Sequence, residues 1–510
     1  MPEIPPGAIC PDTVHPMPAK TPEPQIRRAR TPASPRQDLV IIGAGAAGLS
    51  AASIASRTGA RVTLIEAHRL GGDCLYTGCI PSKALLRAAS RAQAIRECHR
   101  FGIRVGEPSI DFSGVREHIR RAISTIEPED SAGRYRSLGV RVLSGEATLI
   151  NPHTVEVGGE TISTRSLVVA TGAQPIIPEL PGLAGIRWVT SETVWDLETC
   201  PERLLVLGGG AVGCELGQAF ARLGSRVTLV EPAARILGRE PEAASLILAD
   251  ALRQEGLRML TSTRALRIEG TTPHALLVVS HADGTLEAIG FDVLLIAAGR
   301  APRSSGRDLL HLDREPDGRI LTNRYLETSE RGIFAAGDVT SALQFTHVAG
   351  QQGAYAALNA LFRPFLRLCW NRSPVPRVTY TDPEIASVSR PGLSPSEQLE
   401  TLTLPLRDVN RAVTDGVEAG CAEISVDRRG RVASATLILP HAGEIIPELA
   451  LAIQEGIPVG RILTLIHPYP TYAEINRRAA ARWREGRASG PGRRLVRVAL
   501  SALRRFGPDG

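Results

Sequence analysis

The chain has few of the features that mark secreted or membrane-spanning proteins. Across its 510 residues no apolar run approaches the roughly 18 residues that a membrane-spanning helix needs. The N-terminus carries no apolar signal core. The eight cysteines are scattered and only Cys74 and Cys79 lie close together, which disfavours a disulfide-stapled fold. These absences predict a soluble protein of the reducing cytoplasm.

Excess charge of one sign is confined to the end of the chain. Residues 481–510 carry eight arginines against Glu485 and Asp509, a balance of +6 that equals the formal net charge of the whole protein. The remainder is neutral overall, which argues against nucleic acid as a partner. Within residues 493–506, helical spacing aligns apolar residues on one stripe with arginines around it. Such a helix can make a weak contact with an anionic membrane surface, and a solvated basic tail fits equally well.

Length and patterning predict several domains. A chain of 510 residues that is 43% hydrophobic is long enough for about three cores. Residues 1–36 hold ten prolines and predict a disordered leader. From about residue 375, alternating strands such as 422–426 and 432–439 precede helices, which predicts a separate α+β domain.

The strongest signal of organisation is an internal repeat with an offset of 165 residues. Each copy runs as an apolar strand, a Gly-x-Gly-x-x-Gly turn, an alanine-containing helix and a second strand that closes on a glutamate. The key positions are Gly43, Gly45, Gly48 and Glu66 in the first copy, and Gly208, Gly210, Gly213 and Glu231 in the second. In this βαβ unit the first glycine makes the turn, the second lets backbone approach a pyrophosphate, and the third lets helix pack on strand. Two copies predict two bound dinucleotides.

Cys74 and Cys79 stand in a run that predicts redox chemistry. Pro81 and Ser82 suit a helix start, whose positive end would lower the pKa of Cys79 and favour its thiolate. The Cys-x4-Cys spacing alone is equally compatible with two buried thiols or with half of a zinc site.

In combination these motifs resemble the FAD-dependent pyridine nucleotide-disulfide oxidoreductases, the family of dihydrolipoamide dehydrogenase, glutathione reductase and mercuric reductase. The similarity runs from about residue 38 to 482, and the run from Gly72 through Lys83 is highly specific. The resemblance implies an α/β fold with two Rossmann-like domains, one for FAD and one for NAD, plus a C-terminal α+β dimerisation domain. The implied segments are a leader (1–36), an FAD domain in two parts (37–186 and 301–372), an NAD(P) domain (187–300), a dimerisation domain (373–482) and a basic tail (483–510).

The resemblance also assigns the site residues. The FAD positions would be Gly43, Gly45, Gly48, Glu66, Gly72, Ala147, Thr171, Gly172, Gly299 and Asp338, with Asp338 on the ribityl chain. Gly208, Gly210, Gly213 and Glu231 would hold the nicotinamide dinucleotide. Lys83 would pair with Glu215 beside the flavin. No resident metal site is implied.

The implied electron route runs from NAD(P)H through FAD to the Cys74–Cys79 disulfide and on to an acceptor. Cys79 would be the charge-transfer thiolate, and Cys74 the interchange thiol that meets the acceptor. Glu231 favours NADH, because a carboxylate accepts from a free 2'-hydroxyl and repels a 2'-phosphate, while Arg235 nearby would soften that preference.

The acceptor end departs from the family's disulfide reductases. In those enzymes the partner subunit of a homodimer contributes a catalytic histidine, and a glutamate follows it in the sequence. In this chain Tyr469 stands at the position of the histidine and Glu474 at the position of the glutamate. A phenol is a poor base for a thiol, which disfavours lipoamide and glutathione. His467 would substitute as base or serve as a structural loop residue.

Tyrosine at this position resembles mercuric reductase, although no cysteine follows Cys421 to deliver the metal. The sequence predicts a mercuric reductase-like enzyme that acts on a metal ion or another small acceptor. Dihydrolipoamide dehydrogenase-like activity is the alternative enzyme. A flavoprotein that senses redox state and controls a partner is the alternative of another class.

Overall fold

The structure is a computed structural model that describes residues 36–304, 312–370, 374–394, 396–488 and 491–506. The predicted leader, apart from Arg36, and the end of the predicted tail after Phe506 lie outside the described residues. The described residues form two compact units. The larger comprises residues 36–232 and 263–370, and the smaller comprises residues 233–262 and those from 374 onward.

The first sheet of the larger unit carries the first glycine turn. Its parallel strands, in spatial order, are Arg141–Ser144, Val62–Glu66, Gln37–Ile42, Glu160–Val169 and Ile333–Ala335. Thr154–Val157 and Ala147–Asn151 extend this sheet with antiparallel pairing. The central strand has almost no exposed residue because helices Ala46–Ser56 and Thr346–Phe362 pack against the parallel region.

A second parallel sheet in the larger unit carries the second glycine turn. Its strands, in spatial order, are Arg226–Val230, Arg203–Leu207, Val293–Ile296 and Trp188–Thr190. Helix Ala211–Arg222 follows the turn. Antiparallel strands complete the unit: Arg264–Glu269, Ala275–Ser280 and Leu286–Phe291 form one sheet, and Ala173–Pro175 pairs with Arg300–Pro302.

The remaining helices of the larger unit include the two that carry the paired thiols. They are Gly72–Tyr76, Cys79–Glu97, Phe112–Ile126 and Ala132–Ser137. The long helix Cys79–Glu97 buries Pro81, Ala84 and Leu85 in its first turns, so packing fixes the segment that follows the second thiol.

The smaller unit is an antiparallel sheet with helices against it. Its strands, in spatial order, are Arg377–Thr379, Ile385–Ser389, Val432–Ile438, Cys421–Val426 and Glu400–Pro405. Its other elements are strand Arg258–Leu260 and helices Glu242–Gln254, Asn410–Asp415, Ala442–Gln454, Val459–Ile462, Glu474–Ala488 and Pro491–Phe506. Glu240 joins the inserted segment to the sheet by accepting from Arg377 Nε at 3.0 Å and from Ser387 Oγ at 2.6 Å.

The two glycine-turn units and the α+β smaller unit have the topologies that the repeat and the strand pattern predict. The division into units groups residues 233–262 with the C-terminal part. The predicted domain boundaries stay a prediction. Among the described helices, none combines the length and apolar character needed to cross a bilayer.

Candidate active site

The first glycine turn leaves room for a ligand above its middle residue. Gly43 has φ +100°, and a Cβ there would lie 2.3 Å from the Ala170 carbonyl oxygen. A Cβ at Gly48 would lie 1.8 Å from the Gly43 oxygen, so helix Ala46–Ser56 packs directly on the turn. Gly45 has no atom within 4 Å of its Cβ position. The close contacts fix the turn and the open side fits the approach of a pyrophosphate.

The second glycine turn repeats this geometry. Gly208 has φ +114°, and its Cβ position lies 2.4 Å from the Ala297 oxygen. A Cβ at Gly213 would lie 1.9 Å from the Gly208 oxygen, and Gly210 faces open space. The chain therefore contains two turns of the kind that hold dinucleotides, each at the start of a helix.

The two glutamates that close the repeats, Glu66 and Glu231, are each held by a backbone amide of the glycine turn that precedes them. Glu66 Oε2 accepts from the Ala44 amide at 2.6 Å, and its Oε1 accepts from the His68 amide at 2.9 Å. Glu231 Oε2 accepts from the Gly209 amide at 2.6 Å. Both carboxylates are thus fixed at a strand end, where they can accept hydrogen bonds from ribose hydroxyls.

The other residues predicted for FAD lie around the first turn and at its sheet. Gly72 comes so close to the turn that a Cβ on it would lie 2.7 Å from Gly45 Cα. Thr171 donates from Oγ1 to the Arg303 carbonyl at 2.8 Å, and the Arg303 amide donates to the Gly172 carbonyl at 2.9 Å. These bonds join the loop after strand Glu160–Val169 to the chain after residue 300.

Ala147 and Gly299 occupy more peripheral positions. Ala147 begins strand Ala147–Asn151, opposite Val157. Gly299 has φ +111° and its carbonyl accepts from the Ile176 amide at 2.9 Å. Their geometry is compatible with backbone contact to a dinucleotide.

The two thiols lie at the junction of two helices. Cys74 is inside helix Gly72–Tyr76, and Cys79 is the first residue of helix Cys79–Glu97. Both are free thiols and both are half-buried. A hydrogen bond links their side chains, and it raises the pKa of Cys74 while lowering that of Cys79. Cys74 therefore holds the proton and Cys79 the negative charge.

Several groups set the charge state of Cys79. The hydrogen bond with Cys74 contributes most to lowering its pKa to about 6, followed by a bond with the Thr346 hydroxyl at 3.2 Å and the positive charge of Lys83. Burial and the charge of Glu215 act in the opposite direction. At neutral pH Cys79 is thus a thiolate, the reactive form of the residue.

Lys83 and Glu215 form an ion pair close to this thiolate. Lys83 Nζ lies 3.0 Å from Glu215 Oε2, and the side chains are 38% and 9% exposed. Lys83 lies one helical turn after Cys79, whereas Glu215 belongs to the helix of the second glycine turn. The pair therefore joins the thiol helix to the second dinucleotide unit.

Asp338 lies near the end of strand Ile333–Ala335. Burial raises the pKa of its carboxyl group to about 6, and the charge of Arg300 partly opposes this effect. The charges of Asp73 and Cys79 add to the increase. A half-buried carboxyl at a strand end, close to the thiols, is placed to bind hydroxyl groups of a ligand chain.

Sequence reasoning missed the contacts that hold the segment around the two thiols. Asp73 forms an ion pair with Arg300, which also lies 3.6 Å from Glu192. Trp195 Nε1 donates to the Thr77 carbonyl at 3.0 Å. The only sequence signal was the position of Asp73 inside the cysteine run, because all three partners are distant in the chain.

A cavity of about 470 Å³ opens beside Cys74. Its lining includes Thr346, Asp130, Tyr135 and Arg57. Burial raises the pKa of Asp130, and the charge of Asp130 in turn adds to the raised pKa of Cys74. The cavity gives a small acceptor access to Cys74, and Asp130 was not among the predicted residues.

The residues predicted for the acceptor end lie in the smaller unit. Tyr469 is 67% exposed, and its hydroxyl accepts from Asn410 Nδ2 at 2.6 Å. His467 is bound at Nε2 by Glu448 at 3.3 Å, and its side chain is only 8% exposed. These bonds leave Tyr469 as the accessible side chain and hold His467 against helix Ala442–Gln454, which carries Glu448.

Glu474 is buried. Its Oε1 accepts from Arg478 Nε at 3.0 Å, while Oε2 has no hydrogen-bond partner among the described residues. The described residues also contain no cluster of three or more His, Cys, Asp or Glu side chains that fits a metal ion.

Comparisons with known proteins match nearly the whole described chain. Residues 37–353 match the pyridine nucleotide-disulphide oxidoreductase family, and residues 375–480 match the dimerisation domain of that family, which implies a homodimer. Mercuric reductase of Staphylococcus aureus is 32% identical over 443 residues, covering 86% of this chain and 80% of the relative. Dihydrolipoyl dehydrogenase of Thermus scotoductus is 35% identical over 458 residues, covering 86% and 95%.

Solved structures agree with these matches. LpdA from Mycobacterium tuberculosis superposes with a TM-score of 0.79 at 27% identity, covering 88% of this chain and 99% of that one. The Cu(II) complex of the HOCl-induced flavoprotein disulfide reductase RclA from Escherichia coli gives 0.76 at 26% identity, with the same coverage. The predicted fold class, family and cofactors, FAD and NAD(P)H, are confirmed. The chain belongs to the pyridine nucleotide-disulphide oxidoreductases and is an NAD(P)H-dependent flavoprotein disulfide oxidoreductase.

Proposed function

We propose that this enzyme uses NADH to reduce a soft metal ion, with Cys74 and Cys79 as the thiols that bind it. The observation that carries the proposal is the environment of Tyr469. At the position of the family's histidine base stands a phenol, and its hydroxyl accepts a hydrogen bond from Asn410. A soft cation needs two thiolates and no such base, whereas a dithiol substrate needs one.

The cofactors would be held by the two glycine-turn units. The ADP part of FAD would be bound by Gly43, Gly45, Gly48 and Glu66. Further backbone contacts would come from Gly72, Ala147, Thr171, Gly172 and Gly299. The ribityl chain would be bound by Asp338. Gly208, Gly210, Gly213 and Glu231 would bind the nicotinamide dinucleotide. Bound FAD would supply two-electron transfer between the nicotinamide and the Cys74–Cys79 disulfide. The domain boundaries given above are part of this proposal.

NADH is favoured over NADPH by the charges near the second turn. Glu231 is held by the Gly209 amide and presents a carboxylate, which repels a 2'-phosphate. Arg235, four positions after Glu231 in the chain, donates to the carbonyls of Leu237 and Glu240. Its guanidinium is thus engaged within its own turn, which weakens its ability to recruit a phosphate.

The two thiols would have different roles in the reaction. Cys79, stabilised as a thiolate by the bond with Cys74 and by Lys83, would stay on the cofactor side. Cys74 lines the cavity and would meet the acceptor. On metal binding, the Cys74 S–H bond breaks, a sulfur–metal bond forms, and the proton leaves through the cavity, where Asp130 can accept it. The sulfur–metal bonds then break as the two thiolates give two electrons to the divalent ion and close the Cys74–Cys79 disulfide. NADH would reduce that disulfide again, so that in sum NADH and M²⁺ give NAD⁺, M⁰ and H⁺.

The acceptor site would be completed by the smaller unit of a partner subunit, with Tyr469 next to the metal. Glu474 and His467 would support that loop, since Arg478 holds the first and Glu448 holds the second. We place the enzyme in the reducing cytoplasm, where free thiols persist. We propose no nucleic-acid partner.

A dihydrolipoamide dehydrogenase-like function is the second candidate, because the Thermus scotoductus relative of that name is 35% identical over 95% of its length. Parallel steady-state assays separate the candidates. The proposal predicts NADH oxidation with Hg(II) in excess thiol, and little reduction of NAD by dihydrolipoamide. The opposite pattern supports the second candidate, and a single reduction without turnover indicates a redox sensor. Cys74→Ser is the control that should abolish activity with either acceptor.

A further inference from the structure

The helix Pro491–Phe506 leaves its described side chains in water. Every described side chain from Val496 to Arg504 is exposed. Among them, Val496 is 59%, Leu500 47% and Leu503 67% exposed. A helix of 16 residues has little intrinsic stability in water without a packed face. An apolar face left open on it therefore points to an external partner.

The exposed residues of this helix divide into an apolar face and a polar face. At about 100° per residue, the six apolar residues between 496 and 504 cover an arc of about 200°, and Arg497, Ser501 and Arg504 share the opposite side. The same spacing assigns the positions of Arg493, Arg494 and Arg505 to the polar side. One helix thus combines a wide apolar face with a cationic one.

The charge of the segment stands out from that of the chain. Residues 481–510 hold eight arginines and two acids, a balance of +6, and the whole protein also has +6, so residues 1–480 sum to zero. A partner attracted to this segment is therefore anionic. It must also accept apolar side chains, because the aliphatic face is as prominent as the arginines.

We propose that this helix binds an anionic lipid surface and lies in its plane, with Val496, Leu500 and Leu503 towards the acyl chains and the arginines at the headgroups. At about 1.5 Å per residue it is about 24 Å long, which is too short to span a bilayer but suits the interface.

Other occupants fit less well. A second copy of the helix would bring arginine-lined edges together, and the family's dimerisation domain ends at residue 480, before the helix starts. Nucleic acid would attract the arginines but leave Val496, Leu500 and Leu503 in water. An anionic lipid surface satisfies both faces.

The test is co-sedimentation of the full-length FAD enzyme with phosphatidylcholine vesicles that contain or lack a quarter phosphatidylglycerol. We expect roughly tenfold stronger binding to the anionic vesicles, loss of most of it at high salt, and roughly tenfold weaker binding of the Leu500→Glu/Leu503→Glu variant. Leu246→Glu is the matched control, because Leu246 is 55% exposed on helix Glu242–Gln254. It should bind like the parent.

NADH-dependent activity and the oligomeric state are measured on every variant. Unchanged activity in the double variant shows that the fold is intact. The proposal is overturned by equal binding to neutral and anionic vesicles, or by equal binding of the double variant. It is also overturned if duplex DNA binds in place of the vesicles, or if the double variant dissociates the dimer, since the face would then belong to nucleic acid or to a second copy.

Discussion

Lys83 Nζ lies 3.0 Å from Glu215 Oε2, although the two residues are 132 positions apart in the chain. The pair places one positive and one negative charge near the Cys79 thiolate. The charge of Lys83 lowers the pKa of Cys79, and the charge of Glu215 raises it. The two charges of the pair thus act on the pKa of Cys79 in opposite directions, and the pair also joins the thiol helix to the second dinucleotide unit.

Substitutions in this pair should move the Cys79 titration in opposite directions. Lys83→Met removes the stabilising cation and should raise the pKa of Cys79 by about 1 unit, while Glu215→Gln should lower it. The measurement is the pH dependence of thiolate absorbance at short ultraviolet wavelength in the reduced enzyme. Shifts of the same sign in both variants would contradict the proposed electrostatic roles.

The thiolate itself predicts a pH profile. Because the pKa of Cys79 is lowered to about 6, the thiolate is present above that pH and is lost as the pH falls below it. In FAD enzyme reduced with one equivalent of NADH, the Cys79 thiolate should give a long-wavelength charge-transfer absorbance with the flavin. The intensity of this absorbance should change with pH around the same midpoint. Cys79→Ser should remove the absorbance at every pH, whereas its persistence would reverse the assignment of the two thiols.

Asp130 should control the reactivity of Cys74 from across the cavity. The hydrogen bond with Cys79 contributes most to the raised pKa of Cys74, and the charge of Asp130 adds to it. Asp130→Asn should therefore lower that pKa slightly and speed alkylation of Cys74 by neutral iodoacetamide. Glu129→Gln is the matched control, since its carboxylate is adjacent in sequence but does not line the cavity. An unchanged alkylation rate in Asp130→Asn, or an equal change in both variants, would remove Asp130 from the account.

Asp338 should cost stability when no cofactor is bound. Burial raises its pKa in the folded protein to about 6, so ionising this carboxyl group lowers the free energy of unfolding. The full stability is present below the ordinary pKa of 3.8, and it is lost as the pH rises through 6. In protein stripped of FAD, Asp338→Asn should be more stable than the parent by about 2 kcal/mol at pH 8, with little difference at acidic pH. Denaturant unfolding at the two pH values measures this, and the same variant should bind FAD more weakly.

Tyr469→His should restore a base at the acceptor end. An imidazole titrates near neutral pH, so dihydrolipoamide turnover should increase by about tenfold or more, while reduction of bound FAD by NADH should not change. Stopped-flow traces separate the two steps. An unchanged turnover would show that the residue at 469 does not limit dithiol chemistry.

Local patterns predicted the parts of the site that backbone geometry fixes. Gly43 and Gly48 could be located because a turn without room for a Cβ leaves only glycine, and the repeat at Gly208 supported the assignment. Lys83 and Glu215 followed from the family motif. Contacts between distant segments leave no such trace: Asp73 and Arg300 are 227 positions apart, and neither has a neighbour pattern that indicates the other.

At the acceptor end, too, contacts between distant residues could not be predicted from the sequence. The sequence placed Tyr469 where a histidine was expected, but it left the role of His467 open. The structure holds His467 against Glu448, 19 positions earlier in the chain, through a tertiary contact that no local periodicity encodes. Asp130 was missed for a similar reason, since a cavity is a property of packed elements.

The account rests on delivery of electrons through Cys74 and Cys79 to a soft metal ion, and product stoichiometry tests this most directly. With purified FAD enzyme, excess thiol and Hg(II), the elemental mercury released as vapour is measured against the NADH consumed under anaerobic conditions. We predict one mercury atom per NADH, and none with Cys74→Ser or Cys79→Ser. NADH consumption without mercury vapour, or vapour formation that survives either substitution, would contradict the account.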